Sequence, residues 1–354
     1  MSISPHSAAP FVAPIDPDSI DRIIELACRA PSVHNTQPWT WRVLDNRVDL
    51  YADFSRQLVH TDPVRRDLLV SCGAALHHFV LAAAALGWDT KVRRTPDASE
   101  ERFLASVLLR PGRAPADAPE VIAAVRARRT DRRQFGTWPV PAERLDALAE
   151  VGRGRGALLV PVLDEMVQAR LMGLTRRADE LQRRKPAYQS ELNASLTYWS
   201  DHGVPVSHVP RQSPDEAEQG FNQRFPHGVL RDSSEDDTPQ ADGVMLLATS
   251  SDDTLSRLRA GEALSAVWLQ ATRDGLLLVP YSQALEVEQT RRELQDDILE
   301  DTACAQLVLR LGWPAGARKP LPATPRRGLE DVRHFDYGNR SSQSSQYPAT
   351  PGAE

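Results

Sequence analysis

The chain has 354 residues, more than twice a domain length of about 150, so it should form two domains or one duplicated domain with a core large enough to fold unaided. Its 42 Lys and Arg nearly balance 48 Asp and Glu, and the formal net charge of −6 excludes a chain-wide attraction to nucleic acid or to an anionic membrane. Cys28, Cys72 and Cys304 are odd in number, scattered and without C-x-x-C spacing, which argues against a disulfide framework or zinc site and for a reducing, cytoplasmic setting.

Residues 1–15 are rich in Pro and Ala and lack a basic start followed by an apolar run, so they read as a disordered N-terminus rather than a leader. From Asp16 the sequence predicts a helix (DSIDRIIELACRA), a polar turn (PSVHNTQPW) and a hairpin of two alternating strands, TWRV and RVDLYAD, about LDN. A long helix follows: Leu68, Leu69, Cys72, Ala75, Leu76, Phe79, Val80 and Ala83 recur at three and four, and Gly87 stands where a C-cap would. The longest apolar stretch, Val80 to Trp88, is about half of a bilayer span. The strand SVLLRPG then closes a first half, 16–115. The cluster RARRTDRRQF, Arg126 to Phe135, precedes a helix from about Pro141 and opens a second half, 120–335. Within it, 176–241 is rich in Arg, Ser, Asp, Gln and Pro and reads as a lid-like insertion or as disorder, with an amphipathic stretch from Leu192 to Trp199. A second apolar helix ends at Gly275, the basic group TPRRGLED spans Thr324 to Asp331, and the tail 339–354 has almost nothing to bury.

The halves echo one another. Aligned without gaps, Gly73–Gly87 and Gly261–Gly275 share both glycines and the pairs Ala75/Ala263, Leu76/Leu264, Leu81/Leu269 and Ala83/Ala271. Leu109-Arg110-Pro111-Gly112 matches Leu309-Arg310-Leu311-Gly312, and Ile20-Asp21 matches Leu145-Asp146. Three echoes in one order predict duplication, two α+β halves fused in one chain.

Two clusters could carry chemistry. In APSVHNTQPW, Ser32, Asn35 and Gln37 lie within six residues between two prolines, a rigid corner suited either to capping a helix-to-strand turn or to holding a ligand. Only Lys91, Lys185 and Lys319 are lysines, so arginine supplies the other 39 of 42 cations and a lone arginine means little. The group Arg128, Arg129, Thr130 and Arg132 offers fixed forks and a hydroxyl suited to a phosphomonoester, and suits a solvated basic loop as well. It has no aromatic interleaving, which disfavours nucleic acid.

Together these features resemble the nitroreductase-like flavoproteins, and more closely their Acg-type tandem FMN-binding branch, over residues 16–335. The family's P-S-x-x-N-x-Q-P-W turn stands here as Pro31, Ser32, Asn35, Gln37, Pro38 and Trp39; its R-R-S-x-R phosphate signature resembles Arg128, Arg129, Thr130 and Arg132, with Thr for Ser. The stretch Gly261 to Pro280 is similar to the family's long helix, strand and Pro, and Arg326 and Arg327 to its C-terminal basic pair. The resemblance implies two mostly antiparallel sheets flanked by helices, forming an intramolecular pseudo-dimer that could stay monomeric. It also implies FMN bound between the halves, hydride passing from NAD(P)H through flavin N5 to a nitroaromatic or quinone, and no catalytic acid, base or metal. Pro280, Tyr281 and Ser282 would border the flavin, with Trp39 and Tyr281 as apolar walls; His34 could face the ring as well, although a turn histidine more often faces solvent. The first half offers only IDPDSIDR where the arginines would recur, and the second only RGRGALLVPV where the turn would, so one FMN per chain is expected. The first acid after Tyr281 is Glu286, where active relatives carry one nearer the ring. Flavin storage without turnover is therefore the alternative.

Overall fold

The computed structural model describes residues 15–211, 224–225, 227–230, 243–316 and 318–336. The termini expected to be disordered, up to residue 14 and from 337 onward, and the insertion segments 212–223 and 231–242 lie outside the described residues.

Helix α1 (Pro17–Ala27) starts on Asp16, whose carboxylate accepts from Ser19 N at 2.8 Å, and Pro17 fits its first turn. Ile20, Ile23 and Ile24 form its buried face. Strands β1 (Trp39–Leu44) and β2 (Arg47–Ala52) pair as the expected hairpin, with only Asp45 and Asn46 between them. The Asp62 carboxylate then accepts from Arg66 N and Leu68 N and launches α2 (Arg66–Ala85), which ends at Gly87, φ +83°. By length and composition α2 would cross a membrane; here it is the core helix, covered by its own sheet and by the second half. Strands β3 (Trp88–Arg94) and β4 (Phe103–Pro111) complete the first sheet, β3 being absent from the sequence expectation, and α3 (Ala118–Ala127) leads into the second half.

The second half runs α4 (Ala142–Arg153), β5 (Leu158–Pro161), α5 (Glu165–Arg183), α6 (Pro186–Ala194), the short parallel pair β6 (Leu196–Thr197) and β7 (Val204–Pro205), then β8 (Gly243–Thr249). It continues with α7 (Thr254–Arg273), β9 (Leu277–Tyr281), α8 (Gln283–Glu286), α9 (Glu288–Leu299), β10 (Cys304–Gly312), α10 (Leu329–Val332) and β11 (Arg333–Phe335).

The two sheets share one plan. Their orders are β1-β2-β4-β3 and β5-β8-β10-β9, all antiparallel neighbours, so each places its first, second, fourth and third strands side by side. Helices α2 and α7 cross where Gly73 meets Gly261. A Cβ on Gly73 would strike the Leu258 carbonyl oxygen, and one on Gly261 would strike that of Val70. Residues 73 and 261, 70 and 258, and the hydrogen-bonded pair His77 and Ser265 (2.8 Å) are each 188 apart in sequence, so the contact is reciprocal, as at a two-fold interface. The fold is thus an α+β pseudo-dimer within one chain.

Three expectations need adjusting. The strand echo is out of register by two: Asp89 pairs with Arg110 while its counterpart Leu277 pairs with Gly312, so Arg110, not Gly112, corresponds to Gly312. The pleat keeps the same face up after a two-residue slip, which hid the error. The departure from the shared plan begins at residue 162, not 176: α5 runs through the expected boundary, and everything between β5 and β8 replaces a two-residue hairpin. Finally, residues up to 335 do not stay in the second half, because β11 joins the first sheet in parallel against β1.

Candidate functional site

The turn after α1 is held in an uncommon backbone. His34, Asn35 and Gln37 have φ of +45°, +56° and +51°, and a left-handed conformation costs a non-glycine residue about 1 kcal/mol or more. Specific bonds oppose that cost. Ser32 Oγ accepts from Gln37 N at 3.0 Å, and Val33 N donates to Ser71 Oγ on α2 at 3.0 Å. Asn35 Nδ2 donates to the Gly203 and Pro325 carbonyls, while its Oδ1 accepts from Arg326. Gln37 Nε2 donates to the Asp201 carbonyl at 2.8 Å, and its Oε1 accepts from Arg327 N. The first half, the insertion and the C-terminal segment therefore meet on this one corner.

Beside it stands the arginine cluster. Asp131 is spent on Arg133, at 2.5 Å, so Arg128, Arg132 and Arg326 have no carboxylate within ion-pairing distance among the described residues. The Arg128 guanidinium lies 4.6 Å from the Trp268 ring and gives one bond to the Arg29 carbonyl, and its buried Nε has no partner among the described residues. Burial, with repulsion from Arg326 and Arg129, pulls it well below the usual arginine range. Burial brings Arg132, 5.2 Å from the Phe225 ring, down to about 10, with Arg224 adding repulsion. Arg326 is also drawn down to about 10 by burial, although its donors turn to the Cys28, Arg29 and Ala30 carbonyls at the end of α1 and to Asn35. It offers charge more than free donors. Buried cations lacking counter-ions favour an anion beside them.

A cavity lies where corner and cluster meet, lined by residues of both halves and of the insertion. Of the residues expected from sequence, Pro31, Ser32 and Asn35 line one side, Arg128, Thr130, Arg132 and Arg326 another, and Pro280, Tyr281 and Ser282 a third. Three expected residues stay out of it. Gln37 is fully buried behind the corner, Arg129 bonds to the Arg126 and Arg128 carbonyls, and Arg327 reaches the Gln37 and Trp39 carbonyls. These fix the corner and the cluster. Trp39 is no wall either: it is 0% exposed inside the first core, and Trp268 lines the cavity in its place. His34, for which solvent was the more frequent setting, is buried and lines the cavity.

Other lining residues gave no sequence signal. Asp67 and Ser71 come from α2, and Val204, Pro205, His208, Val209, Arg224 and Phe225 come from the insertion. Arg224 is anchored by Glu286 at 2.7 Å, and Glu286 also accepts from Ser282 Oγ at 2.6 Å. The acid after β9 is thus occupied by the insertion's arginine. Asp67 is pushed up to about 8 by burial, with Asp62 and Glu286 adding repulsion.

The equivalent place in the other half carries different side chains. Counterparts 188 residues apart put Leu255 for Asp67, Arg259 for Ser71 and Arg94 for Ser282. Arg94 grips the buried Glu262 carboxylate through two bonds of 2.7 Å, and the Arg259 side chain lies over Gly156, in the loop after α4.

No family model matches the chain. It is 38% identical over 330 residues, covering 90% of this chain and 91% of the relative, to the Mycobacterium tuberculosis protein named "Putative NAD(P)H nitroreductase Rv3131". It is 31% identical over 325 residues, 90% and 96% of the two chains, to "Putative NAD(P)H nitroreductase acg" of the same organism. Among solved structures, the FMN-dependent nitroreductase NfnB of Mycobacterium smegmatis, in complex with NADPH, overlaps at a TM-score of 0.38 with 17% identity, covering 62% of this chain and 99% of that one.

Proposed function

This chain belongs to the Acg-type NAD(P)H nitroreductases, and on that premise we propose that it binds one FMN in the cavity between its halves and acts as a flavin-dependent oxidoreductase of nitroreductase type. The observation that carries the reading is the pair of guanidiniums with no carboxylate partner among the described residues, buried Arg128 and half-buried Arg132, lining one cavity together with the polar corner. The residues suit the group: a phosphate there would satisfy the orphaned Arg128 Nε and complete the charge of both arginines.

In this reading Arg128, Thr130 and Arg132 hold the phosphate and Arg326 adds charge, while Ser32 and Asn35 present polar atoms from the opposite half. Tyr281 and Trp268 supply apolar surface, and the insertion excludes water. FMN, when bound, supplies hydride acceptance and donation at N5, with NAD(P)H as donor and a nitroaromatic or quinone as acceptor. Seating the group between two halves of one polypeptide requires no second chain.

A second reading, flavin storage with little turnover, is favoured by a specific observation. Val204, Val209 and Phe225 of the insertion already line the cavity, and the buried Arg224–Glu286 pair holds them there, so a nicotinamide would have to displace them. Anaerobic mixing of the yellow protein with NADPH separates the two. Rapid loss of the oxidised flavin absorbance is the result expected of a reductase, and persistent colour that of a holder. A preparation that stays colourless after excess FMN contradicts both.

A further inference from the structure

His34 has one ring nitrogen committed and one bare. Its Nδ1 lies 3.1 Å from Ser195 Oγ in the insertion, and Ser195 directs its single hydroxyl hydrogen to the Glu191 carbonyl at 2.9 Å. The hydroxyl therefore accepts, so Nδ1 carries the proton. That leaves Nε2 a lone-pair acceptor, fully buried and without a partner among the described residues, in a side chain that is 7% exposed and lines the cavity. The left-handed backbone at +45° and the Phe225 ring, edge-on at 4.9 Å, fix its direction. Burial, then the Arg224 and Arg132 cations, keep the imidazole neutral.

We propose that His34 is the residue by which this cavity selects an occupant bearing an N–H or O–H donor, with Ser195 as the positioning residue that turns the accepting nitrogen inward. A buried acceptor left without a donor costs free energy, so the site discriminates against occupants that cannot supply one. Two sources share this chemistry, the ring N–H of the flavin or a hydroxyl of a second ligand. The inference rests on the FMN reading only for the first.

The test begins on ligand-free protein labelled with ¹⁵N-histidine, with the His34 signal assigned by its loss in His34→Asn. Long-range proton–nitrogen correlations are expected to show protonated Nδ1 and bare Nε2, and Ser195→Ala to populate the other tautomer. A wild-type proton on Nε2, or a Ser195→Ala spectrum unchanged from wild type, overturns the proposal. Affinities then identify the source. Asn suits the left-handed backbone and keeps a donor near the Nδ1 position while deleting the Nε2 acceptor, whereas Gln restores an acceptor farther out. If the flavin supplies the donor, His34→Asn weakens FMN roughly five- to tenfold and His34→Gln recovers most of it. If a second ligand does, FMN affinity holds, and the preference for hydroquinone over 1,4-dimethoxybenzene, read from the His34 shift in wild type and from a second labelled histidine, His208, in the variants, falls by a similar factor. Unchanged affinity for both FMN and hydroquinone in His34→Asn overturns the proposal. A wild-type protein that takes no FMN sinks the function proposed above, while the tautomer measurement and the hydroquinone comparison still decide the role of His34.

Discussion

The corner after α1 and the loop after α4 occupy corresponding places in two copies of one plan, yet the residues they and their neighbours present differ, and the first lines a cavity. Both follow a helix packed on the central helix of its own half, and both precede the first strand of a sheet with the same strand order. The difference lies in which side chains the central helices and third strands present. Around the first site stand Asp67, Ser71 and Ser282, short groups that leave room and offer polar atoms. Their counterparts Leu255, Arg259 and Arg94 are longer or apolar, Arg259 is exposed, and Arg94 finds its counter-ion in Glu262 within the protein. Charge balance makes the same distinction: Arg94 is matched by Glu262, whereas Arg128 and Arg132 have no carboxylate within ion-pairing distance among the described residues. A duplicated frame can thus keep its crossing point while the side chains at its two corresponding places diverge.

Removing the unmatched cations attacks this contrast most directly. Arg128→Ala with Arg132→Ala should weaken FMN at least about a hundredfold, since charged hydrogen bonds contribute about 1.5–3 kcal/mol each. Fluorescence titration checks it, and a double variant that purifies with full colour breaks the assignment. The crossing point itself should be symmetric. Gly73→Ala and Gly261→Ala each force a methyl against backbone and should each cost about 1–3 kcal/mol in thermal or denaturant unfolding; a loss at one position only would contradict the reciprocal contact.

The acid lining the cavity gives a pH signature absent from its leucine counterpart. With Asp67 at about 8 in the folded ligand-free protein against 3.8 when unfolded, the native state binds more protons across that window. Stability should therefore fall as pH rises between those values, by up to about 1.4 kcal/mol per pH unit. Asp67→Asn should flatten this slope, and identical slopes in the two proteins would refute it. Ser32→Ala, in the same cavity as the arginines, should weaken FMN by about 1 kcal/mol, an effect that titration reads against wild type. Arg259→Ala at the corresponding place should leave FMN affinity unchanged and move stability by no more than about 0.5 kcal/mol.

Sequence pattern carried the frame well where the signal was local. The polar turn, the hairpin and both central helices could be read because capping residues, alternation and the three-four apolar repeat are short-range consequences of backbone geometry. The arginine cluster stood out because every residue from Arg128 to Arg132 is polar or charged, although pattern alone could not say that Arg129 would spend its bonds on backbone. What was hidden depended on long-range contacts. Nothing local marks Trp268 as lining a cavity while Trp39 is sealed in the core, and the burial of His34 is created by Ser195 and Phe225, well over a hundred residues away. The crossover of β11 into the first sheet needs only three paired residues, too few for any periodicity. Low hydrophobicity in the insertion suggested a lid or disorder, whereas α5 and α6 bury Leu171, Leu174, Ala178, Tyr188 and Leu192 along single faces.

The central claim, one flavin seat built from both halves and none at the corresponding place, is tested most directly by the ratio of FMN to polypeptide after saturation and removal of free flavin. The account predicts one FMN per chain, released by heat or acid as intact riboflavin 5′-phosphate. No bound flavin, or two per chain, would contradict it.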